Sequence, residues 1–569
     1  MKKSICLIFF YFTLILIPSS LLSQSKNTAI VWVFLNRQYL EKRTGNQLVY
    51  AEKTRQRLSK IGWEKDVSDY QPPQDIENAI RQNTIRMRNY SRSLCAYSAR
   101  IDEAQRSALL RLPFVDRLEP VGIRRRDREP IESSAPVQYL SKPAGFYGES
   151  EEQLAQLNVI RTHELGITGR GIRMGIVDTG FRTDHQVFNY LLENDRLIAQ
   201  YDFINDDDNV QDENAADSLG GIQHSHGTAA LSCIAGHVPE MLIGSAYDVE
   251  VLLAKTEVLQ SETRIEEDYY VAALEWMEAE GAEIISSSLG YRDFDNFEYT
   301  YEDLDGETGV TTIAANWLYE RGVLLVTAAG NDATRFSDGG LITPADAYGA
   351  LTVGAVDKNG EIAYFSSHGP TFDGRIKPEV CARGYRTWVA NSYEPTTYRY
   401  SNGTSFSTPL IAGCCALLLQ KYPHWTPELI IKNLKAFADR NDAPDNRYGW
   451  GIPDIYKTLT ETQDTIPKEI AVRTKAITIA SNPVRNTAKF YFRWTNPNTG
   501  RGNRYEIEIF NIAGMKVFSQ QLRERNIGEV EEVTWNLRNL QGKKVSSGVY
   551  LVRIKGKKMN KSGKFTILK

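Results

Sequence analysis

The sequence of 569 residues predicts an α/β fold: a mostly parallel sheet with helices on both faces, preceded by a small α+β unit and followed by a β-sandwich. Three observations carry this. In residues 147–459, short apolar runs alternate with helical segments. Ahead of them, strand patterns flank an amphipathic helical stretch. From Ala476 onward the pattern becomes short strands separated by turn residues. Length alone argues for several domains. With 42% hydrophobic and 24% charged residues, the composition is globular and not disordered. The net charge of -4 comes with no concentrated basic face, so no nucleic-acid partner is expected.

At the N-terminus, Lys2 and Lys3 precede a mostly apolar run over 5–17, and small and polar residues fill 18–25. This is the order of a secretory signal peptide, so residues 1–25 are read as one. The run is short for a membrane span, and no later segment is long enough. Residues 26–146 then form an N-terminal unit and its linker. In it, Ala29–Leu35 reads as a strand through alternating Val31, Val33 and Leu35, and Ala96–Ile101 as a second. Asp102 stands where it would cap a helix bearing Ala104, Ala108, Leu109 and Leu112, which Pro113 ends before a strand over 114–121. Arg124, Arg125, Arg126 and Arg128 follow, read either as a cleavage signal or as a solvated patch. The Pro- and Ser-containing stretch over 130–143 reads as a protease-sensitive linker. Without Cys6, which goes with the signal, Cys95, Cys233, Cys381, Cys414 and Cys415 remain. That odd, low count favours buried thiols over a disulfide framework.

In the central unit, 147–459, strands are expected over 172–177, 250–254, 283–287, 323–328 and 350–356, with helices over 267–280 and 314–320. Such a sheet gathers reactive groups at the carboxyl ends of its strands, which draws attention to Asp178 and Asn331. A polar linker over 460–475 leads to the last unit, 476–569. Its strands are expected over 488–494, 505–510, 516–521, 530–537 and 548–554.

Four segments of the central unit bear chemistry. In Gly175-Ile176-Val177-Asp178-Thr179-Gly180, an apolar strand ends in a carboxylate that needs hydrogen-bond donors to stay charged. In His224-Ser225-His226-Gly227-Thr228, a histidine opens a small-residue helix. In Ala328-Ala329-Gly330-Asn331, a strand exits on a neutral donor suited to developing negative charge. In Asn402-Gly403-Thr404-Ser405-Phe406-Ser407-Thr408-Pro409, a glycine turn presents a serine at a helix start, with Pro409 expected in the first turn.

Together these segments resemble the aspartate, histidine, asparagine and serine motifs of the subtilisin-like serine peptidases, in that family's chain order. The resemblance implies that Ser405 is the nucleophile, His226 the general base and acid, and Asp178 the group that orients His226. Asn331 and the Ser405 N–H would form the oxyanion hole. Ser288, Leu289 and Gly290 resemble the family's strand that pairs with substrate backbone. Phe365-Ser366-Ser367-His368-Gly369-Pro370 and Lys377-Pro378-Glu379-Val380 match further family segments, so the likeness spans nearly all of 147–459.

Each motif alone has another reading. Asp178-Thr179-Gly180 fits an aspartic peptidase, but its pair is missing. His224 and His226 fit a metal pair, but nothing completes a zinc site. No cofactor is therefore expected. Calcium remains open as a structural ion, with Asp206, Asp207, Asp208 and Asp212 the conceivable ligands, a solvated loop the simpler reading, and Asp184 a lone carboxylate. Asp332 suggests a pocket for a basic side chain before the cut, with Thr343-Pro344-Ala345 at the pocket edge.

The flanking units carry resemblances of their own. Residues 96–121 resemble the inhibitor-type propeptide of the same family, with a cut expected between Arg128 and Tyr147. Ser481-Asn482-Pro483, residues 509–514, 547–551 and 564–569 resemble the C-terminal sorting domain of type IX secretion substrates. The combined expectation is a secreted or surface-attached serine endopeptidase made as a zymogen. Its partners would be peptide or protein substrates, its own propeptide and the type IX machinery. Two alternatives remain: a binding or adhesion protein on an inactive peptidase scaffold, and a peptide ligase or cyclase using the same acyl-enzyme.

Overall fold

Seven strands, every neighbouring pair parallel, make the central sheet. They lie in the order Val380–Arg383, Ala350–Val356, Leu324–Ala328, Ile284–Ser287, Arg173–Asp178, Glu250–Lys255 and Leu197–Asp202. The computed structural model describes residues 28–63, 65–121, 145–213, 222–258, 265–294, 297–462, 477–480, 484, 487–493, 505–523, 530–556 and 560–567. The signal-peptide segment, Arg124 and its neighbours, the linker over 130–143 and Ser481-Asn482-Pro483 lie outside them.

The inner strands are buried along their whole length, which is why they read as continuous apolar runs. Helices Ser225–Ala235 and Thr404–Lys421 share one core cluster with one face of the sheet. Helices Ile265–Ala279 and Val310–Glu320 share a second cluster with the other. This is the α/β layering the sequence predicts. The strands Leu197–Asp202 and Val380–Arg383 were not anticipated. The first lies at the sheet edge and is only partly buried, so it lacks the apolar run that marks the others.

The N-terminal domain is a four-stranded antiparallel sheet in the order Arg86–Ser91, Ala96–Ile101, Ala29–Leu35, Val115–Val121. Asp102 caps helix Glu103–Leu109 through a reciprocal bond with Gln105, as the sequence suggests. Helices Arg37–Glu41, Glu52–Lys60 and Gln74–Gln82, all unforeseen, fill the stretch between the first two strands. Alternation in Ala29–Leu35 marks Val31, Val33 and Leu35 as core, and they pack with Ile76, Ile80 and Leu109. Ile30, Trp32 and Phe34, on the opposite face, are buried as well, against Tyr270, Leu274 and Trp317 of the central domain. Period-2 reasoning sees one buried face; a docked domain buries the second.

The C-terminal residues form two antiparallel sheets around a single core. One holds Thr478–Ala480, Ala488–Arg493 and Val530–Trp535; the other holds Lys516–Leu522, Tyr505–Asn511, Gly548–Lys555 and Asn560–Ile567. Cys95, Cys233, Cys381, Cys414 and Cys415 are all buried, and none is in a disulfide.

Candidate active site

Three adjacent strands deliver the key main-chain segments to one edge of the sheet. Arg173–Asp178 ends on Asp178, Ile284–Ser287 runs on into Ser288, Leu289 and Gly290, and Leu324–Ala328 leads to Asn331. Their register aligns Ser287 with Val177 on one side and Thr327 on the other, so all three exits are level. Carboxyl edges of parallel sheets are where such crevices form.

His226 reaches this edge from the first turn of helix Ser225–Ala235. Its approach depends on Gly227. A Cβ there would lie 2.2 Å from the Gly180 carbonyl oxygen and 2.9 Å from the Asp178 Cβ. The close packing sets the His226 Nδ1 to Asp178 Oδ1 distance at 2.7 Å. The same Oδ1 accepts the Thr179 N–H at 2.7 Å. Asp178 is wholly buried, whereas the His226 side chain is 22% exposed. A buried carboxylate facing Nδ1 keeps the proton on that nitrogen and leaves Nε2 as the basic atom. Burial pulls the His226 pKa down. The Asp178 charge and hydrogen bond more than offset this, so the net shift is upward from 6.5.

Ser405 sits in the first turn of the buried helix Thr404–Lys421. Among the described residues, the one hydrogen bond of its hydroxyl goes to the Ser288 carbonyl at 3.4 Å. The Phe406 ring lies 5.7 Å from the His226 ring, centroid to centroid, which sets the two elements side by side. Pro409 is not in the first turn, contrary to the sequence reading; it lies inside the helix. Its missing N–H deprives the Ser405 carbonyl of an intrahelical donor. The Ser288 hydroxyl supplies one instead, at 2.7 Å. A helix defect thus ties Ser405 to the segment 288–290.

Asn331 is oriented by its carbonyl. Its Oδ1 accepts the Thr404 N–H at 2.9 Å and the Thr404 hydroxyl at 3.1 Å. The amide nitrogen is thereby turned the other way, toward Gly403. This glycine has φ +144°, and a Cβ built on it would lie 3.6 Å from each of Asn331 Nδ2, Ser405 N and Ser405 Oγ. Two N–H donors and a hydroxyl thus face one small space. Such a space suits an oxygen that gains negative charge beside a serine. Thr404 was not singled out in the sequence, although its place beside Ser405 was the available signal.

Ile342 packs against both Gly290 and Gly330: its Cδ1 lies 2.4 Å from a Cβ built on Gly290 and 3.3 Å from one built on Gly330. The Thr343 carbonyl accepts the Tyr291 N–H at 2.8 Å, which holds the Thr343-Pro344-Ala345 turn beside Gly290. The Asp332 carboxylate is 3.8 Å from Arg335, which also pairs with Asp293. Burial raises the Asp332 pKa, and Arg335 and Arg292 oppose the rise.

Four of the acidic residues considered for calcium, Asp184, Asp206, Asp207 and Asp212, have other partners. Asp212 accepts the N–H groups of Gln223 and His224 at 3.0 and 2.8 Å. Asp206 accepts from Tyr201, and Asp207 from the Asn209 N–H. Asp184, read as a lone carboxylate, pairs with Arg182 at 3.0 Å. Among the described residues, no group of three His, Cys, Asp or Glu side chains converges as metal ligands.

Comparison with known proteins places these features in context. The Subtilase family model matches residues 169–451, and a model of the secretion-system C-terminal sorting domain matches residues 479–568. The chain is similar to Subtilisin DY of Bacillus licheniformis, 29% identical over 293 residues, covering 51% of this chain and 91% of that protein. It is similar to Subtilisin Savinase of Lederbergia lenta, 29% identical over 300 residues, covering 52% and 94%. An alkaline protease of Alkalihalobacillus alcalophilus is 29% identical over 300 residues, covering 52% and 67%.

Proposed function

Because the central domain of this chain belongs to the subtilase family of serine peptidases, we propose that the protein is an endopeptidase, made as a zymogen, that cuts peptide bonds through Ser405, His226 and Asp178. The sorting domain marks it for secretion or attachment at the cell surface. The observation that carries the reading is the 2.7 Å bond between His226 and Asp178 beside the space bounded by Asn331 Nδ2, Ser405 N and Ser405 Oγ.

The chemistry follows from the geometry. The substrate chain lies along Ser288, Leu289 and Gly290, with its scissile carbonyl oxygen in the space at Gly403. Ser405 Oγ turns from the Ser288 carbonyl to the substrate carbon and gives its proton to His226 Nε2. Asp178 stabilises the resulting imidazolium without itself taking the proton. Asn331 and the Ser405 N–H hold the oxyanion. His226 then protonates the leaving amine, the acyl-enzyme forms, and water repeats the sequence to release the acid.

The N-terminal domain is proposed as the propeptide, docked on helices Ile265–Ala279 and Val310–Glu320. The support is the shared apolar cluster and the resemblance of segment 96–121 to the family's inhibitor-type propeptide. Ser405→Ala tests the whole reading: hydrolysis of a protein substrate disappears and uncut precursor accumulates. Unchanged hydrolysis by this variant would refute it. The masses of products formed from mixed peptides distinguish hydrolysis from ligation.

A further inference from the structure

Strand Thr397–Ser401 pairs with Thr387–Asn391 in a hairpin just ahead of the Ser405 segment. On one face of this hairpin Tyr398 stacks on Trp388 and the Tyr400 ring packs on it at a tilt. Side chains alternate along a strand, so Arg399 points the other way. There it donates to the Ser225 hydroxyl at 3.3 Å. Ser225 immediately precedes His226, so the guanidinium stands beside the proposed base, and its charge works to lower the His226 pKa.

Four other arginines of the central domain have carboxylate partners. Arg182 pairs with Asp184, Arg292 with Asp338, Arg335 with Asp293 and Arg383 with Glu152. Among the described residues Arg399 pairs with none, and its Nε is shielded from solvent without a hydrogen-bond partner. Burial depresses its pKa, with only the Tyr393 phenol opposing. A half-buried guanidinium with an unpartnered Nε is costly unless an anion offsets its charge.

Its position relative to the cut follows from the proposed mechanism, on which this inference rests. The acyl half of the substrate lies along 288–290. The leaving amine lies against His226, which must protonate it. Arg399 therefore faces the residues that follow the scissile bond. We propose that Arg399 is a specificity-determining residue that binds a carboxylate on the C-terminal side of the cut. That carboxylate is an acidic side chain or the terminal carboxylate of a short leaving segment. A guanidinium pairs with either through charge-assisted hydrogen bonds.

The test uses peptides with one fixed acyl half and Glu, Gln or Lys at each of the first three positions after the cut. A second set ends there as free acid or as amide. Wild-type protein is expected to cleave one Glu series about tenfold or more better in kcat/KM than its Gln counterpart, the effect of one charge-assisted hydrogen bond. A preference for the free acid over the amide would identify the terminal carboxylate as the source. Arg399→Gln is expected to abolish the preference, and Arg399→Lys to keep part of it. The proposal is overturned if wild-type protein shows neither preference. It is also overturned if Arg399→Gln slows acidic and neutral peptides by one common factor, as a purely structural role would. A wild-type protein that cleaves no peptide at all would overturn the peptidase reading, and this one with it.

Discussion

Arg57 of the N-terminal domain and Glu278 of the central domain form an ion pair at 2.6 Å in which neither side chain is more than 5% exposed. Arg321 joins Glu278 at 3.0 Å and Asp69 at 3.1 Å, and Arg92 joins Glu278 at 3.2 Å. One carboxylate thus neutralises arginines from both domains. Beside it, Glu275 accepts the Arg92 and Ser93 N–H groups at 2.8 Å each and the hydroxyls of Ser91 and Ser93.

This arrangement makes Glu278 the point where the interface is most vulnerable. Glu278→Ala leaves buried arginines uncompensated, and the expected loss is about 3–5 kcal/mol of precursor stability. Urea unfolding of the Ser405→Ala precursor, which prevents self-cleavage, gives the number. A change within about 0.5 kcal/mol, as at an ordinary surface site, would show that apolar packing alone holds the domains together.

Asn331 is one of the two donors proposed for the oxyanion position. Asn331→Ala is expected to lower kcat by about 10²- to 10³-fold, the loss known for the corresponding donor of subtilisin, with KM little changed. Kinetics on a single peptide suffice. An effect confined to KM would place Asn331 in ground-state binding instead.

The upward shift of the His226 pKa sets the pH dependence. Activity needs neutral His226, so it should rise with pH through a midpoint above the ordinary 6.5. The conformational stability linked to this group has the opposite sense. A raised folded-state pKa contributes stability that is complete below the unfolded value and is lost as pH rises through the folded value. Asp178→Asn removes the charge that raises the pKa, so the acid limb should move to lower pH while kcat falls steeply. A pH–rate profile whose limb stays put in that variant would mean that His226 is not the titrating group.

Ile342 packs against Gly290, in the segment proposed to hold substrate, and against Gly330. Wild-type protein should therefore favour small side chains before the cut, and Ile342→Gly should shift the preference toward aromatic ones. Sequencing of cut sites in a peptide library reads this directly. Strong cleavage after Lys or Arg by the wild type would instead support Asp332 as the residue that reads substrate.

Much of the site was legible because its residues stand in short local motifs. Asp178, His226, Asn331 and Ser405 each lie at a strand exit or helix start that hydrophobic pattern and glycine spacing reveal. Ile342 and Arg399 carry no such signal. One packs against two glycines far from it in sequence, and the other is marked by what it lacks. The role of Pro409 was misplaced for a similar reason: its cost is met by Ser288, far away in sequence.

The amino-acid order by itself determined the alternation of strand and helix, the change to short strands after Ala476 and the motifs that resemble those of the subtilisin-like peptidases. These depend on local periodicity and side-chain type. Only the tertiary structure decided that Asp178 meets His226 at 2.7 Å, that Ile30, Trp32 and Phe34 are buried on the second face of their strand, and that Glu278 gathers arginines from two domains. Each is a contact between segments far apart in the chain. Packing and mutual burial select such contacts, and no local pattern encodes them.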